Sequence, residues 1–568
     1  MIKAFHFLVT AIALIWAIPL TSRAQTRVQD IFGRSLNSHG ITLVDWDGYL
    51  ANPLIKFYVL PPTNGVLPGS VKLNANGARL YFDTSSTVSS NGPSKTVSVT
   101  SAVTGVPVNL SIFPDRDSLD EDYTLTLVFT GANNAKQTNT VPIHVIDQDI
   151  QRTNDFAVTV NFDRDVTGFF TNAPRRALAK QAADDWAYFM SGMNLDLVTV
   201  GSESTYIWSN DFSGGKYFSN TNSYRGYQLY AYGTSNATHR SGGESSYNSP
   251  VQHSGGVALT IKRSGGFEAE IYGNYNTLGW LTLTNDNDWL MTGNLGSETN
   301  DFFSIAHHEI GHALIFNAAH PGFNAAKTVG AFTNVAIVNY FGAIVPIDAS
   351  EHLNGSIDPE SGQGAFGYEY YGSIPRKRWT MTKLDLFCAQ QVGYTLRPTS
   401  AFTPLAFPSN ALPVGAVGIP YTRQLTATGS IPVFNWELIS GGFPSGIVLD
   451  PFSGTLSGTP TNAGSFNFTI RVRDYHESGP GITQDFALNI GSAPAPQLSV
   501  LLSSPGGIPQ AQLLLTGVSG QRQLIQASTN LSDWIPVATN VSGTNLFTFI
   551  ESNPTGFSSR FYRALVLP

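Results

Sequence analysis

The stretch Asp301-Phe302-Phe303-Ser304-Ile305-Ala306-His307-His308-Glu309-Ile310-Gly311-His312-Ala313-Leu314 decides how the middle of this chain is read. Phe302, Ile305, Ile310, Ala313 and Leu314 recur at helical spacing, which predicts a helix starting near Asn300-Asp301 with one apolar side. Four residues apart on such a helix, His308 and His312 share a face, so both imidazoles can meet one zinc ion. Glu309 sits beside them, where a carboxylate can poise a water held on the metal. His307 is off this register, because its partner four residues on is Gly311. Five histidines fall between His307 and His352, and that clustering marks the region out.

A hydrolytic zinc site needs a third protein ligand and an open position. In metzincins a glycine follows the second histidine by three residues and a third histidine comes three later. Ile315 and Ala318 occupy those slots here, so that compact form is absent. Two candidates follow. The preferred one is His352, forty residues downstream; the other is His320, reached if the helix ends through Asn317 and the chain turns at His320-Pro321-Gly322.

The preference for His352 comes from its surroundings. Phe332 to Ala336, Tyr340-Phe341-Gly342, Val345-Pro346-Ile347-Asp348 and His352 run in order, followed by Glu369-Tyr370-Tyr371, Trp379 to Leu386 and Val392-Gly393-Tyr394. This order resembles leishmanolysin-like metalloproteases, in which a long insertion separates the helix from a distal third histidine. The resemblance implies a metzincin-type domain that hydrolyses peptide bonds. His308, His312 and His352 would hold Zn2+ and Glu309 would be the general base; from position alone, Tyr370 or Tyr371 would hydrogen-bond the oxyanion. Tyr371 stands where the family has a methionine beneath the metal, and Ile315 where it has a glycine.

Working outward, residues 155–397 read as an α+β catalytic-type domain. Phe156 to Phe162 is a predicted strand, and Asn172 caps a helix with Pro174 in its first turn. Leu178, Ala182, Trp186 and Phe189 lie on one face of that helix. Val257 to Ile261 and Trp280 to Thr284 read as strands, with Thr284 to Asp288 bordering a cleft. A last helix spans Thr382 to Val392 and stops at Gly393.

Residues 25–150 read as all-β, with short alternating runs at 80–82, 95–100, 108–113, 123–129 and 140–146. The last two resemble the closing strands of a Calx-β sandwich. Asp115, Asp117, Asp120, Asp122, Asp147 and Asp149 could then hold Ca2+, or simply be solvated turn residues. Pro398 to Leu412 is a linker. Trp436-Glu437-Leu438, Phe443-Pro444-Ser445-Gly446, Ser453 to Pro460 and Phe466 to Asp474 then follow in an order that resembles the bacterial putative-Ig, cadherin-like family over 405–491. Residues 497–568, with Leu531-Ser532-Asp533-Trp534 and Arg560-Phe561-Tyr562-Arg563, read as a small C-terminal β module. The fold class expected is therefore multidomain, a central α+β zincin-like domain flanked by β-sandwiches.

Composition agrees with many short strands: 42% hydrophobic, 13% charged, 54 Gly and 32 Pro over 568 residues. Net charge is −8 without a basic run, which argues against a nucleic-acid partner. Lys3, the apolar run Phe5 to Leu20 and Ser22-Arg23-Ala24 read as a secretory signal peptide (residues 1–24) cut before Gln25, with a membrane anchor as the rival reading. Cys388 is the one cysteine, so no internal disulfide is available and the thiol reads as packed. His239 and His253 read as surface residues. The function expected is a secreted zinc endopeptidase acting on proteins or peptides, with possible cell-surface or matrix contact through the sandwiches; the alternative is an exported, non-catalytic adhesin carrying a decayed protease domain.

Overall fold

The computed structural model describes residues 25–567 apart from short gaps and four longer stretches, 83–92, 246–268, 275–301 and 367–378. The signal-peptide region, the strands read at 257–261 and 280–284, the segment 284–288, and His239, His253, Asn317, His320, Tyr370 and Tyr371 all lie outside the described residues. Among the described residues no helix is long and apolar enough to cross a membrane. The chain divides into two compact units, residues 1–399 and 400–568. Both are built mostly of β-strands; the α-helices among the described residues belong to the first.

The first unit opens with a sandwich of a four-stranded and a five-stranded sheet. Its backbone is the hairpin of Glu121–Thr130 and Lys136–Asp147, paired in register from Glu121 opposite Val145 to Thr130 opposite Lys136. Leu125, Leu127, Phe129, Val141, Ile143 and Val145 alternate inward along that hairpin and are all buried. Strands at 41–45, 55–60 and 69–75, which local alternation did not single out, complete the layers.

The sandwich continues into a mixed sheet in which Val158–Asn161 and Ala269–Asn274 flank Tyr227–Thr234 in parallel. Against it lie helix α1 (Ala173–Phe189) and helix α2 (Phe302–Leu314). Asn172 caps α1 by accepting from the Arg175 N–H at 3.2 Å, as its position before Ala173-Pro174 predicts. Ala182, Trp186 and Phe189 are buried, and so is Asp185, a charge the apolar periodicity of this helix hid. Helices α3 (Pro321–Val329) and α4 (Val335–Phe341) follow, then α5 (Lys383–Val392). Thr382 caps α5 in a reciprocal box with Asp385, and Gly393 ends it in the left-handed conformation.

In the second unit, Trp436, Leu456, Phe468, Ile470, Val472, Phe486 and Leu488 pack between a four-stranded and a three-stranded sheet. Residues 497–566 form two further three-stranded sheets around Leu513, Leu515 and Ile525.

Candidate metal centre

Helix α2 carries His308 and His312 on one face, one turn apart. No glycine stands three residues after His312 to end it, and Asn317, the end the sequence offered, lies outside the described residues. The helix ends at Leu314, where the Ile315 and Phe316 N–H groups both donate to the Gly311 carbonyl. Two further carbonyls of the last turn find hydroxyls: Tyr227 donates to Ala313 O at 3.1 Å and Tyr394 donates to Leu314 O at 2.5 Å. Side chains from a strand and from the end of α5 thus do the capping that a glycine turn does elsewhere.

His352 arrives from the loop after α4. The Asp348 carboxylate accepts the backbone N–H groups of Ser350 and His352 at 2.8 and 3.0 Å, while Asp348 N–H donates to His352 O. That closed turn carries Glu351 in a left-handed conformation and brings the His352 ring over α2. His352 Nε2 lies 3.2 Å from His312 Nε2 and 3.3 Å from His308 Nε2. Nitrogens bound about 2.05 Å from one tetrahedral ion are about 3.3 Å apart, so the two sides that meet at His352 have the length a zinc ion needs, and all three ligand atoms lie within 4.8 Å of one another.

The protonation of the three rings fits the same use. Nδ1 of His312 donates to Phe316 O at 2.7 Å, which leaves its Nε2 lone pair facing the triangle. Burial pushes the His312 pKa down to about 3, helped by the neighbouring His352. Burial and both neighbouring histidines push His308 far down. Burial lowers His352 as well, opposed by Asp348 and Glu351. Three neutral imidazoles whose Nε2 atoms lie this close are a nitrogen donor set that could hold a cation, and nitrogen donors suit zinc. Glu309 is buried next to His308 on the helix.

Beneath the triangle lies Phe366, which the sequence did not mark. Its ring stacks on His308 at 4.5 Å and 20°, and meets His312 edge-on at 4.6 Å. Phe366 holds φ at 48°, which is strained for a bulky side chain. Its N–H donates to Asp385 Oδ1 at 2.7 Å, while Asp385 Oδ2 accepts from the Thr382 N–H and hydroxyl. Burial pushes Asp385 up to about 7 against these donors. The helix box of α5 therefore also fixes the floor of the site. Reading the sequence placed Thr382 at the start of this helix; the capping box, and the hold of its carboxylate on Phe366, came only with the fold.

Gly311 is the point where this floor meets the helix. A Cβ there would lie 2.5 Å from Phe366 Cε2 and 3.0 Å from Trp186 Cζ2. Alanine at an open helical position is more stable than glycine by about 1 kcal/mol. Here the clash reverses the sign: Gly311→Ala should destabilise the chain by about 1–3 kcal/mol, the usual cost of overpacking. Denaturant unfolding checks this, and a more stable variant would show that Phe366 does not press on the helix.

The other residues singled out by sequence fall elsewhere. His307 does not join the triangle; its Nε2 bonds to Asp185 Oδ2 at 2.8 Å. Cys388 is fully buried in α5, with its thiol pKa pushed well up by burial and Asp385, so it is an inert packing group. In the sandwich, Asp115 and Asp147 join Asp45 in a cluster whose carboxylates lie within 4.8 Å of one another. Arg79 enters it, 2.6 Å from Asp45 and 2.9 Å from Asp115, and supplies the positive charge these carboxylates need. Asp117 and Asp120 accept from the backbone N–H groups of Leu119 and Asp147, and Asp122 pairs with His144. Asp149 accepts from Gly48 N–H at 2.6 Å, and burial pushes it up to about 7.

Comparison with known proteins touches only the second unit by sequence. Residues 403–491 match the family model described as "Putative Ig domain", which takes in the sandwich around Trp436. No curated protein matches the chain. Among solved structures, a Bacteroides fragilis protein titled as a putative alpha-galactosidase/melibiase is 19% identical over 16% of this chain, at a TM-score of 0.14. This chain spans about a fifth of that protein's length, the alignment covering 19% of it. Sidekick-1 immunoglobulin domains 1–5 align over 95% of this chain and 98% of that one, at 10% identity and a TM-score of 0.20.

Proposed function

We propose that this chain is an exported zinc-dependent endopeptidase whose metal is held by His308, His312 and His352. The observation that carries the reading is the convergence of three neutral imidazole nitrogens at 3.2–3.3 Å, two from one helix and one from a loop forty residues on. A zinc ion bound there would acidify a water and polarise a substrate carbonyl. Glu309, one position from His308, accepts the proton of the attacking water and returns it to the departing amine. Phe366 and Asp385 hold the His308 ring from below, Asp348 orients the His352 loop, and the Phe316 carbonyl fixes the His312 tautomer. Peptides as substrate class, a metzincin-type domain and export rest on the resemblance to leishmanolysin-like enzymes and on the leader-like residues 1–24.

Elemental analysis of the purified chain should find about one zinc per molecule, because the triangle supplies three of four tetrahedral positions. Hydrolysis of a quenched peptide library should stop on chelation and return with zinc. A chain that takes up no zinc even after loading sinks this reading. It would leave the second one, an exported adhesin, which the match of residues 403–491 to an Ig-like family favours.

A further inference from the structure

The N-terminal sandwich touches helix α2 behind the metal triangle. Asp185 of α1 is fully buried, with Oδ2 2.8 Å from His307 Nε2 and Oδ1 2.7 Å from an Arg116 guanidinium nitrogen. Arg116 belongs to the sandwich loop 114–120 and also lies over the Tyr188 ring at 4.7 Å. From the same module Tyr49 stacks on the His307 ring at 5.3 Å and 11°, and meets Phe303 edge-on at 5.1 Å. His307 closes the arrangement: its Nδ1 faces Phe303 O at 3.0 Å, and its own carbonyl accepts the Trp186 indole N–H at 2.9 Å. Around this point the sandwich is joined by backbone as well, with Ala51 N–H donating to Met381 O at 2.7 Å and Leu54 N–H to Glu360 O at 2.8 Å.

We propose that the N-terminal sandwich is a permanent wall of the metal centre, in which Arg116 and Tyr49, acting through Asp185 and His307, are positioning residues for the His308/His312 pair. The physical basis is that His307 precedes His308 directly, so whatever fixes the rotation of α2 at His307 fixes the direction of both ligands. An apolar residue at 307 would pack but could not set rotation through a directed bond. A removable pro-region makes a poor match to this contact. Its departure would uncover Phe303, His307 and Met381, all buried, and leave Asp185 without its arginine. The inference rests on the zinc reading of the triangle and adds to it the parts that hold the triangle in place.

The test compares zinc affinity, by chelator competition, in the full chain and in Arg116→Gln, Arg116→Lys, Tyr49→Leu and Arg34→Gln. Outer partners of metal ligands typically contribute 10–100-fold to affinity, so Arg116→Gln and Tyr49→Leu should each weaken zinc binding about tenfold. Arg116→Lys should restore most of the loss. Arg34, which pairs with Asp30 inside the sandwich, is the control for general destabilisation and should leave affinity unchanged. Affinities within about twofold of the parent for Arg116→Gln and Tyr49→Leu overturn the proposal while leaving the metal site intact. A parent chain that binds no zinc overturns both. Intact-mass analysis of the zinc-bearing form gives a second reading that needs no variant: residues 25–150 should still be attached, and a zinc-bearing form that has lost them overturns permanence.

Discussion

Glu309→Gln is expected to keep about one zinc per chain while slowing peptide hydrolysis by roughly 10²–10⁴-fold, the range a positioned general base contributes. The side chain is buried on α2 beside His308, outside the triangle of Nε2 atoms, so an isosteric amide leaves the ligand geometry alone. What it removes is the group that accepts a proton. The two measurements must be made together, because each excludes a different error. Lost zinc with lost activity would mean Glu309 supports the metal, and full activity with zinc retained would mean the proton goes elsewhere and the assigned mechanism fails.

His352→Ala is expected to have the opposite signature. Removing one of three ligands leaves two nitrogens on one helix turn, too few for a hydrolytic zinc site, and zinc content should drop below roughly a tenth per chain. Activity should vanish with it. Zinc that stabilises the folded parent by mass action should then no longer raise the melting temperature of the variant. The control is His307→Gln, which changes a neighbouring imidazole that points to Asp185 rather than into the triangle; it should weaken binding without abolishing it. A His352→Ala chain that keeps its zinc would transfer the third-ligand role to His320, the candidate in the segment after α2.

How much of the site was legible depends on how far apart its parts lie along the chain. His308, Glu309 and His312 were readable because helical periodicity is local: spacing of four residues places two rings on one face whatever the rest of the chain does. The cap at Asn172 was readable for the same reason, since a cap is satisfied by backbone groups within three residues. His352 was reached only through the order of segments in a resembling family; nothing in its own neighbours declares a ligand. The end of α2 was not legible locally, because the hydroxyls that bind its last carbonyls, those of Tyr227 and Tyr394, come from 86 and 80 residues away.

The sandwiches followed the same division. Alternation marked the strands with one wet face, such as 121–130 and 136–147, while strands at 41–45 and 55–60 escaped because their largely buried residues blunt the alternation. The acidic residues at 115–122 read as ligands or turns from sequence. Only folding brought Arg79 among Asp45, Asp115 and Glu121.

By itself, then, the sequence determined the helix that carries two imidazoles and a carboxylate, and the cap at Asn172, because each depends on side chains and backbone within a turn or two. Tertiary structure alone decided that His352 closes the triangle, that Phe366 lies beneath it, and that Arg116 and Tyr49 reach His307 and its partner Asp185 from the other module. Those contacts join residues from nineteen to more than two hundred positions apart, and no local pattern encodes which of many buried aromatics or charges will meet once the apolar faces have packed.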